Sequence, residues 1–135
     1  MIENKLKTAI LGLNEGGKLL LEAALATGLF EIEAVADKDI NLVEKIAGKL
    51  NCQAYDDFRQ LISSTDARIA RDNRVLLVAA ETHTCDEYIK MAIKKKFNCL
   101  KLPPIARYFE EAAEFVRLSE EEGIVFSIAN TGRYA

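Results

Sequence analysis

Apolar residues in this chain fall into short runs separated by longer stretches of helical period, and the alternation repeats from end to end. Thr8-Ala9-Ile10-Leu11 is the first run and predicts a strand, while the leucines and alanines of residues 18–25 recur as one face of a helix. Glu31-Ile32-Glu33-Ala34-Val35-Ala36 alternates like a strand with one face more buried than the other. In residues 40–50, Leu42, Val43, Ile46, Ala47 and Leu50 share one side of a predicted helix. Residues 52–55 predict a short third strand, Asp56 and Asp57 offer a cap for a helix over 58–62, and the polar stretch 63–73 reads mostly as a loop. Arg74-Val75-Leu76-Leu77-Val78-Ala79-Ala80 is the most apolar run, as expected of a central parallel strand covered on both faces. A turn over 81–84 should follow, then a helix over 85–95 that sends Tyr88, Ile89, Ala92 and Ile93 inward. A strand over 98–101, a break at Pro103-Pro104, a helix over 106–122 and a strand over 124–128 complete the pattern. Six strands separated by helices predict the α/β class: one Rossmann-like domain over 1–135, with a doubly wound parallel sheet as the middle of three layers.

Within that frame one stretch carries candidate chemistry. The first strand runs into Gly12-Leu13-Asn14-Glu15-Gly16-Gly17 and then a helix. A dinucleotide fingerprint needs this context, because the turn must bring backbone N–H groups and a helix N-terminus against a diphosphate. In G-x-G-x-x-G the first glycine makes the tight turn, the second admits the phosphates and the third lets helix and strand pack closely. Gly12 and Gly17 hold the outer positions, Asn14 replaces the middle glycine, and Gly16 adds room beside it. Asn is the least costly substitute if φ is positive there. Asp37 ends the second strand twenty residues after Gly17, the spacing at which a carboxylate accepts hydrogen bonds from the adenosine ribose and favours NAD over NADP. Ligands of such sheets bind beyond the carboxyl ends of the strands, where the strand order reverses. That places Lys38, Ala80 and Glu81 with Gly12 to Gly17 and Asp37 around one crevice. The competing structural reading is that the glycines serve only a tight turn and that Asp37 caps the following helix.

Composition narrows the function. The net charge is −3 with acids and bases interspersed, unlike the concentrated basic face of a nucleic-acid binder. Lys94-Lys95-Lys96 reads as a helix end whose cations suit the dipole. Three cysteines, at 52, 85 and 99, have neither C-x-x-C spacing nor an even count, so neither a disulfide framework nor a zinc site is expected. No apolar leader or membrane-length run is seen, and the expected setting is the cytoplasm. The expected partner is a nucleotide cofactor, with neither nucleic acid nor membrane. A homodimer, or a further domain in a longer parent chain, is left open.

The order of segments resembles the nucleotide-binding half of the glucose-fructose oxidoreductase and inositol dehydrogenase family (Gfo/Idh/MocA). The match rests on Thr8-Ala9-Ile10-Leu11-Gly12, Val35-Ala36-Asp37-Lys38-Asp39, Tyr55-Asp56-Asp57-Phe58, residues 75–80, Pro104-Ile105-Ala106 and Asn130-Thr131-Gly132-Arg133-Tyr134. The resemblance implies an NAD(P)-binding domain of an oxidoreductase whose substrate domain would lie elsewhere. It also implies an E-K-P motif after the fifth strand, with the lysine working near nicotinamide and substrate. Aligning Pro104-Ile105-Ala106 with the family's P-L-A puts Leu102 at the glutamate and Pro103 at the lysine; shifting by one residue puts Leu102 at the lysine. The catalytic lysine is absent in either register, and no catalytic residue is assigned.

The remaining candidates read mainly as structural. His83, the sole histidine, is taken as a polar loop residue near the nicotinamide end. Cys85, opening a helix, would be a reactive thiol if the helix N-terminus lowered its pKa. Lys101 stands close to the lost lysine, but side chains alternate along a strand and a shift of one re-aims them. Lys18 is expected to be solvated, and Glu15 would repel a diphosphate unless it points away. These residues leave three readings: an NAD-binding domain inert on its own, a regulatory module that senses a nucleotide or metabolite, and a ligand-free structural domain.

Overall fold

A computed structural model describes residues 5–80, 82–103 and 109–128, without the side chains of residues 82–84 and 109. Eleven elements are present among the described residues: β1 (Leu6–Leu11), α1 (Glu15–Thr27), β2 (Phe30–Ala36), α2 (Ile40–Leu50), β3 (Gln53–Tyr55), α3 (Phe58–Arg68), β4 (Arg74–Val78), α4 (Thr82–Lys94), β5 (Asn98–Lys101), α5 (Phe109–Glu122) and β6 (Phe126–Ile128). The strands form one parallel sheet in the order β3-β2-β1-β4-β5-β6. Chain order therefore reverses between β1 and β4, as the alternating pattern requires once right-handed crossovers fill the two sides in turn.

Strand alternation sorts side chains onto two cores. Ile10, Val35 and Leu77 face Leu20, Leu21, Ala24, Val43 and Ala47 from α1 and α2. Ala9, Leu11, Leu76, Val78 and Cys99 face Leu61, Ile62, Ile89, Ile93, Phe115 and Leu118 from α3, α4 and α5. The inward positions read from the periods of α2 and α4 are confirmed: Val43 and Ala47 are buried with Leu42, Ile46 and Leu50 packed beside them, and Ile89, Ala92 and Ile93 are buried with Tyr88 against them. No described helix is long and apolar enough to cross a membrane.

Several boundaries differ from the sequence reading, among them β1, which already begins at Leu6, and β4, which ends at Val78. Residues 63–68 are the second half of α3, not loop, because Ile62 and Thr65 continue its buried face from Phe58 and Leu61. The turn expected over 81–84 is shorter, since Thr82 already opens α4. The helix α1 starts at Glu15, so the final glycines of the motif belong to it. The last strand begins only at Phe126. The start of the fifth helix as read from sequence, Pro104-Ile105-Ala106, lies outside the described residues.

The amino end of the sheet is fastened by one buried cation. Arg74, 1% exposed, donates to Asp66, to the Ile69 carbonyl (2.9 Å) and to the Lys95 carbonyl (2.6 Å), with its guanidinium 3.9 Å from the Phe97 ring centroid. Burial raises the Asp66 pKa, but the hydrogen bonds from Arg74 and Arg71 outweigh it and hold the carboxyl below its usual range. The expectation of a simply solvated Lys94–Lys96 run needs adjusting: Lys95 reaches Asp66 at 3.8 Å and Lys96 pairs with Glu122 at 3.0 Å.

Candidate functional site

At the carboxyl end of β1 the backbone turns at Gly12, whose φ of +95° suits glycine. A β-carbon there would also meet the Ala80 nitrogen at 2.7 Å, so the turn is pressed against the end of β4. Gly17 is tighter still, because a β-carbon would run into the Gly12 carbonyl oxygen, and this absence of a side chain lets α1 lie on the turn. The outer glycines thus perform the two packing tasks that their spacing implied.

Asn14 behaves differently from expectation. Its φ is −68°, so no left-handed conformation has to be accommodated; it is the N-cap of α1. Its Oδ1 accepts from Gly17 N–H at 2.8 Å, and its Nδ2 donates to the Ala79 carbonyl at 3.3 Å. The side chain therefore links the head of α1 to the end of β4 and takes one of the helix's early donors. The Glu15 and Gly16 N–H groups form no hydrogen bond among the described residues and remain available to an anion. Glu15 is exposed. The room expected at Gly16 is occupied: a β-carbon there would lie 2.8 Å from Leu102 Cδ1, because the backbone beyond β5 is held to β4 by a hydrogen bond from Leu102 N–H to the Val78 carbonyl (2.9 Å).

Asp37 lies against the same turn. Its Oδ2 accepts from Leu13 N–H at 2.7 Å and its Oδ1 from Asp39 N–H at 3.0 Å. The helix cap that the structural reading assigned to Asp37 belongs to Asp39, which accepts from Leu42 N–H at 3.2 Å. A carboxylate has about four acceptor positions, so two backbone donors aim Asp37 and still leave capacity for a diol.

Beside Asp37 a cavity of about 150 Å³ is lined by Lys38, Asp56, Asp57, Phe58 and Tyr88. Phe58 and Tyr88 meet edge to face, 5.7 Å between centroids, and the Arg59 guanidinium lies 5.7 Å from the Tyr88 ring centroid. Of these residues the sequence marked Lys38 alone as a site candidate; Asp56, Asp57, Phe58, Arg59 and Tyr88 were missed. In the sequence Tyr55-Asp56-Asp57-Phe58 reads as a strand end, a helix cap and a segment similar to the family, and Asp57 does cap α3; Tyr88 reads only as an inward position. A larger cavity, about 420 Å³, lies at the opposite edge of β2 and β3 among Phe30, Cys52, Gln53 and Arg68, away from the glycine turn.

On the other side of the crevice, β5 sends Leu100 and Leu102 toward the α1–α2 core and Cys99 and Lys101 the opposite way. Lys101 is 1% exposed and donates to the Leu102 carbonyl at 3.1 Å. Burial lowers its pKa, opposed by Cys85 and Asp86. Burial also pushes the Cys85 thiol up to about 11, which corrects the idea of a thiol activated by a helix N-terminus. Burial first, then its hydrogen bond to Glu111 and that residue's charge, raise Asp86 to about 6. Of the other candidates, Ala80 borders the turn, Lys38 is exposed at the small cavity, Lys18 is exposed, and Glu81 lies outside the described residues. His83 lies in α4, so the loop position expected for it is replaced by a helical one.

A glycine turn facing a helix N-terminus at the point where strand order reverses, with an acid on the neighbouring strand, defines a dinucleotide-binding Rossmann domain. The family model described as "Oxidoreductase family, NAD-binding Rossmann fold" matches residues 6–130, and the chain belongs to this Gfo/Idh/MocA family. No match was found among curated proteins. Among solved structures, an oxidoreductase from Agrobacterium radiobacter in complex with NAD+, L-tartaric acid and magnesium superposes with a TM-score of 0.82 at 18% identity, covering 96% of this chain and 36% of that one. The WlbA dehydrogenase from Chromobacterium violaceum, in complex with NADH and UDP-GlcNAcA, gives 0.81 at 12% identity over 99% and 37%. A myo-inositol 2-dehydrogenase from Lactobacillus plantarum gives 0.79 at 18% identity over 93% and 36%. The chain thus spans about a third of the length of these structures.

Proposed function

We propose that this chain holds NAD at the crevice between β1 and β4 and performs no hydride transfer by itself. The observation that carries the reading is the Asp37 carboxylate, fixed by two backbone N–H groups next to the glycine turn. A carboxylate so placed accepts from both hydroxyls of an adenosine ribose and repels a 2′-phosphate, which favours NAD over NADP. Glu15 and Gly16 N–H groups at the positive end of α1 face the diphosphate, Gly12 and Leu13 form the turn beneath it, and Gly17 keeps the helix close. Lys38, Phe58 and Tyr88 give the base an edge and an apolar wall, and Ala80 borders the far side.

NAD supplies hydride chemistry when bound; the residues of this chain supply only its seat. At the position implied for the family's lysine stands Pro103 or, with the register shifted by one, Leu102; neither carries an ionisable group, and the neighbouring Lys101 is buried on the opposite side of the strand. A domain without that lysine has no group there to give or take the proton that accompanies hydride transfer. Calorimetric titration with NAD and NADH tests the seat; absence of heat at millimolar ligand would refute it.

A second reading follows from the same lysine geometry: a regulatory module that reports cofactor or metabolite level to another part of a longer protein. An oxidoreductase-type substrate domain in the full-length protein would sink it, and an effector domain would support it.

A further inference from the structure

The two halves of a dinucleotide would meet unlike surfaces in this crevice. On the β2 side stand the oriented Asp37 carboxylate and the cavity bounded by Phe58 and Tyr88. On the β4–β5 side, Leu102 brings Cδ1 so close to Gly16 that even a β-carbon there would have to displace it. Gly16 is one of the two early α1 residues whose N–H is left for a phosphate, the third donor being taken by Asn14. Leu102 thus stands on the β5 side of one of the two residues whose N–H groups are left for a phosphate.

We infer that Leu102 is a specificity-determining stop on the nicotinamide side, so that the site recognises the adenosine diphosphate half and gains little from the second nucleoside. The argument is one of volume and polarity together. Leu102 must rotate away for the second ribose to pass, and its methyl groups offer no acceptor to a ribose diol, whose hydroxyls lose water without replacement. The side chain is half-buried and its contact with Gly16 is made by a terminal methyl, so it can move without disturbing the backbone hydrogen bond from Leu102 N–H to Val78. The inference rests on the nucleotide-binding reading above and narrows its ligand class to adenine nucleotides that carry a diphosphate.

The test is calorimetric titration of the chain with ADP and, separately, with NAD, for the wild type and for Leu102→Ala and Leu102→Val. Leu102→Val removes the contacting δ-carbon and introduces a β-branched residue suited to the strand end. The wild type should bind ADP within about threefold of NAD. Both variants should tighten NAD by about tenfold, the scale set by methylene-sized changes in a pocket, and leave ADP nearly unchanged. An NAD-to-ADP affinity ratio that fails to rise in both variants, or a wild type that already binds NAD far more tightly than ADP, would overturn the role of Leu102 and leave nucleotide binding intact. Absence of heat from either nucleotide in all three proteins would overturn both readings.

Discussion

The carboxylate of Asp37 accepts from the N–H of Leu13 across 2.7 Å, joining the end of β2 to the glycine turn after β1. Leu13 is fully buried, so this acceptor serves the fold, beside the ligand role proposed for it. Asp37→Ala strands the N–H and should cost about 1–3 kcal/mol of stability, read as a lower urea midpoint without ligand. The same variant should lose the upward shift in thermal midpoint that NAD gives the wild type, because a ligand stabilises only a state it binds. An NAD shift of equal size in both proteins would remove Asp37 from the site.

Gly17 tests the turn from the other direction. In Gly17→Ala the new methyl meets the Gly12 carbonyl, a backbone atom that cannot swing aside. The expected loss is about 1–3 kcal/mol by overpacking, seen in chemical denaturation. Gly48, an exposed α2 position where a β-carbon meets nothing within 4 Å, is the contrasting site: Gly48→Ala should stabilise by about 0.5–1 kcal/mol through helix propensity.

Asn14 separates capping from phosphate access. Asn14→Ala loses the hydrogen bond to Gly17 N–H and should lower stability by about 1 kcal/mol, whereas Asn14→Gly should cost only a few tenths. Asn14→Gly also frees a donor at the head of α1 and restores the middle glycine. Titration should therefore show tighter NAD binding for Asn14→Gly than for the wild type.

The Asp86–Glu111 pair should leave a signature in pH. The folded pKa of Asp86, about 6, lies above its ordinary 3.8, chiefly through burial and then through Glu111, with Lys101 and Lys90 opposing. Between those values the folded state binds more protons than the unfolded one, so this group's contribution is complete below about 3.8 and is lost as pH rises through 6. Asp66 acts in the opposite sense, its depressed pKa giving stability that fades in acid. Asp86→Asn should accordingly gain stability relative to the wild type at pH 7.5, with the gain vanishing near pH 4, as followed by urea midpoints across that range.

Thiol chemistry offers a last check. Burial raises Cys52 to about 11, with Glu33 adding, Cys85 to about 11 and Cys99 to about 12. A thiolate is the reacting species, so a disulfide reagent at pH 8 should titrate the native chain slowly and all three thiols rapidly in denaturant. Fast reaction of Cys85 in the native state would mean that the N-terminus of α4 activates it after all.

Much of this molecule is written in local pattern. Residues 75–78 had to become a doubly covered strand because the positions facing both sides are apolar, and Gly12, Gly17 and Asp37 declared a turn and its neighbouring acid by spacing alone. These features need only chain periodicity and backbone sterics, which a sequence carries directly. Ser63 to Arg68 misled for a related reason: their polar side chains resemble a loop, and only docking on β2 and α4 makes the helix worth continuing. What the sequence could not decide is where separate segments meet. Asn14 bonding to Ala79, Leu102 leaning on Gly16, Tyr88 joining Phe58 beside Lys38, and Lys101 turning away from the crevice all depend on strand register and helix placement. A shift of one residue along β5 would exchange Leu102 and Lys101 between the two faces, so the character of that side of the crevice is set by the packed sheet and not by the order of residues.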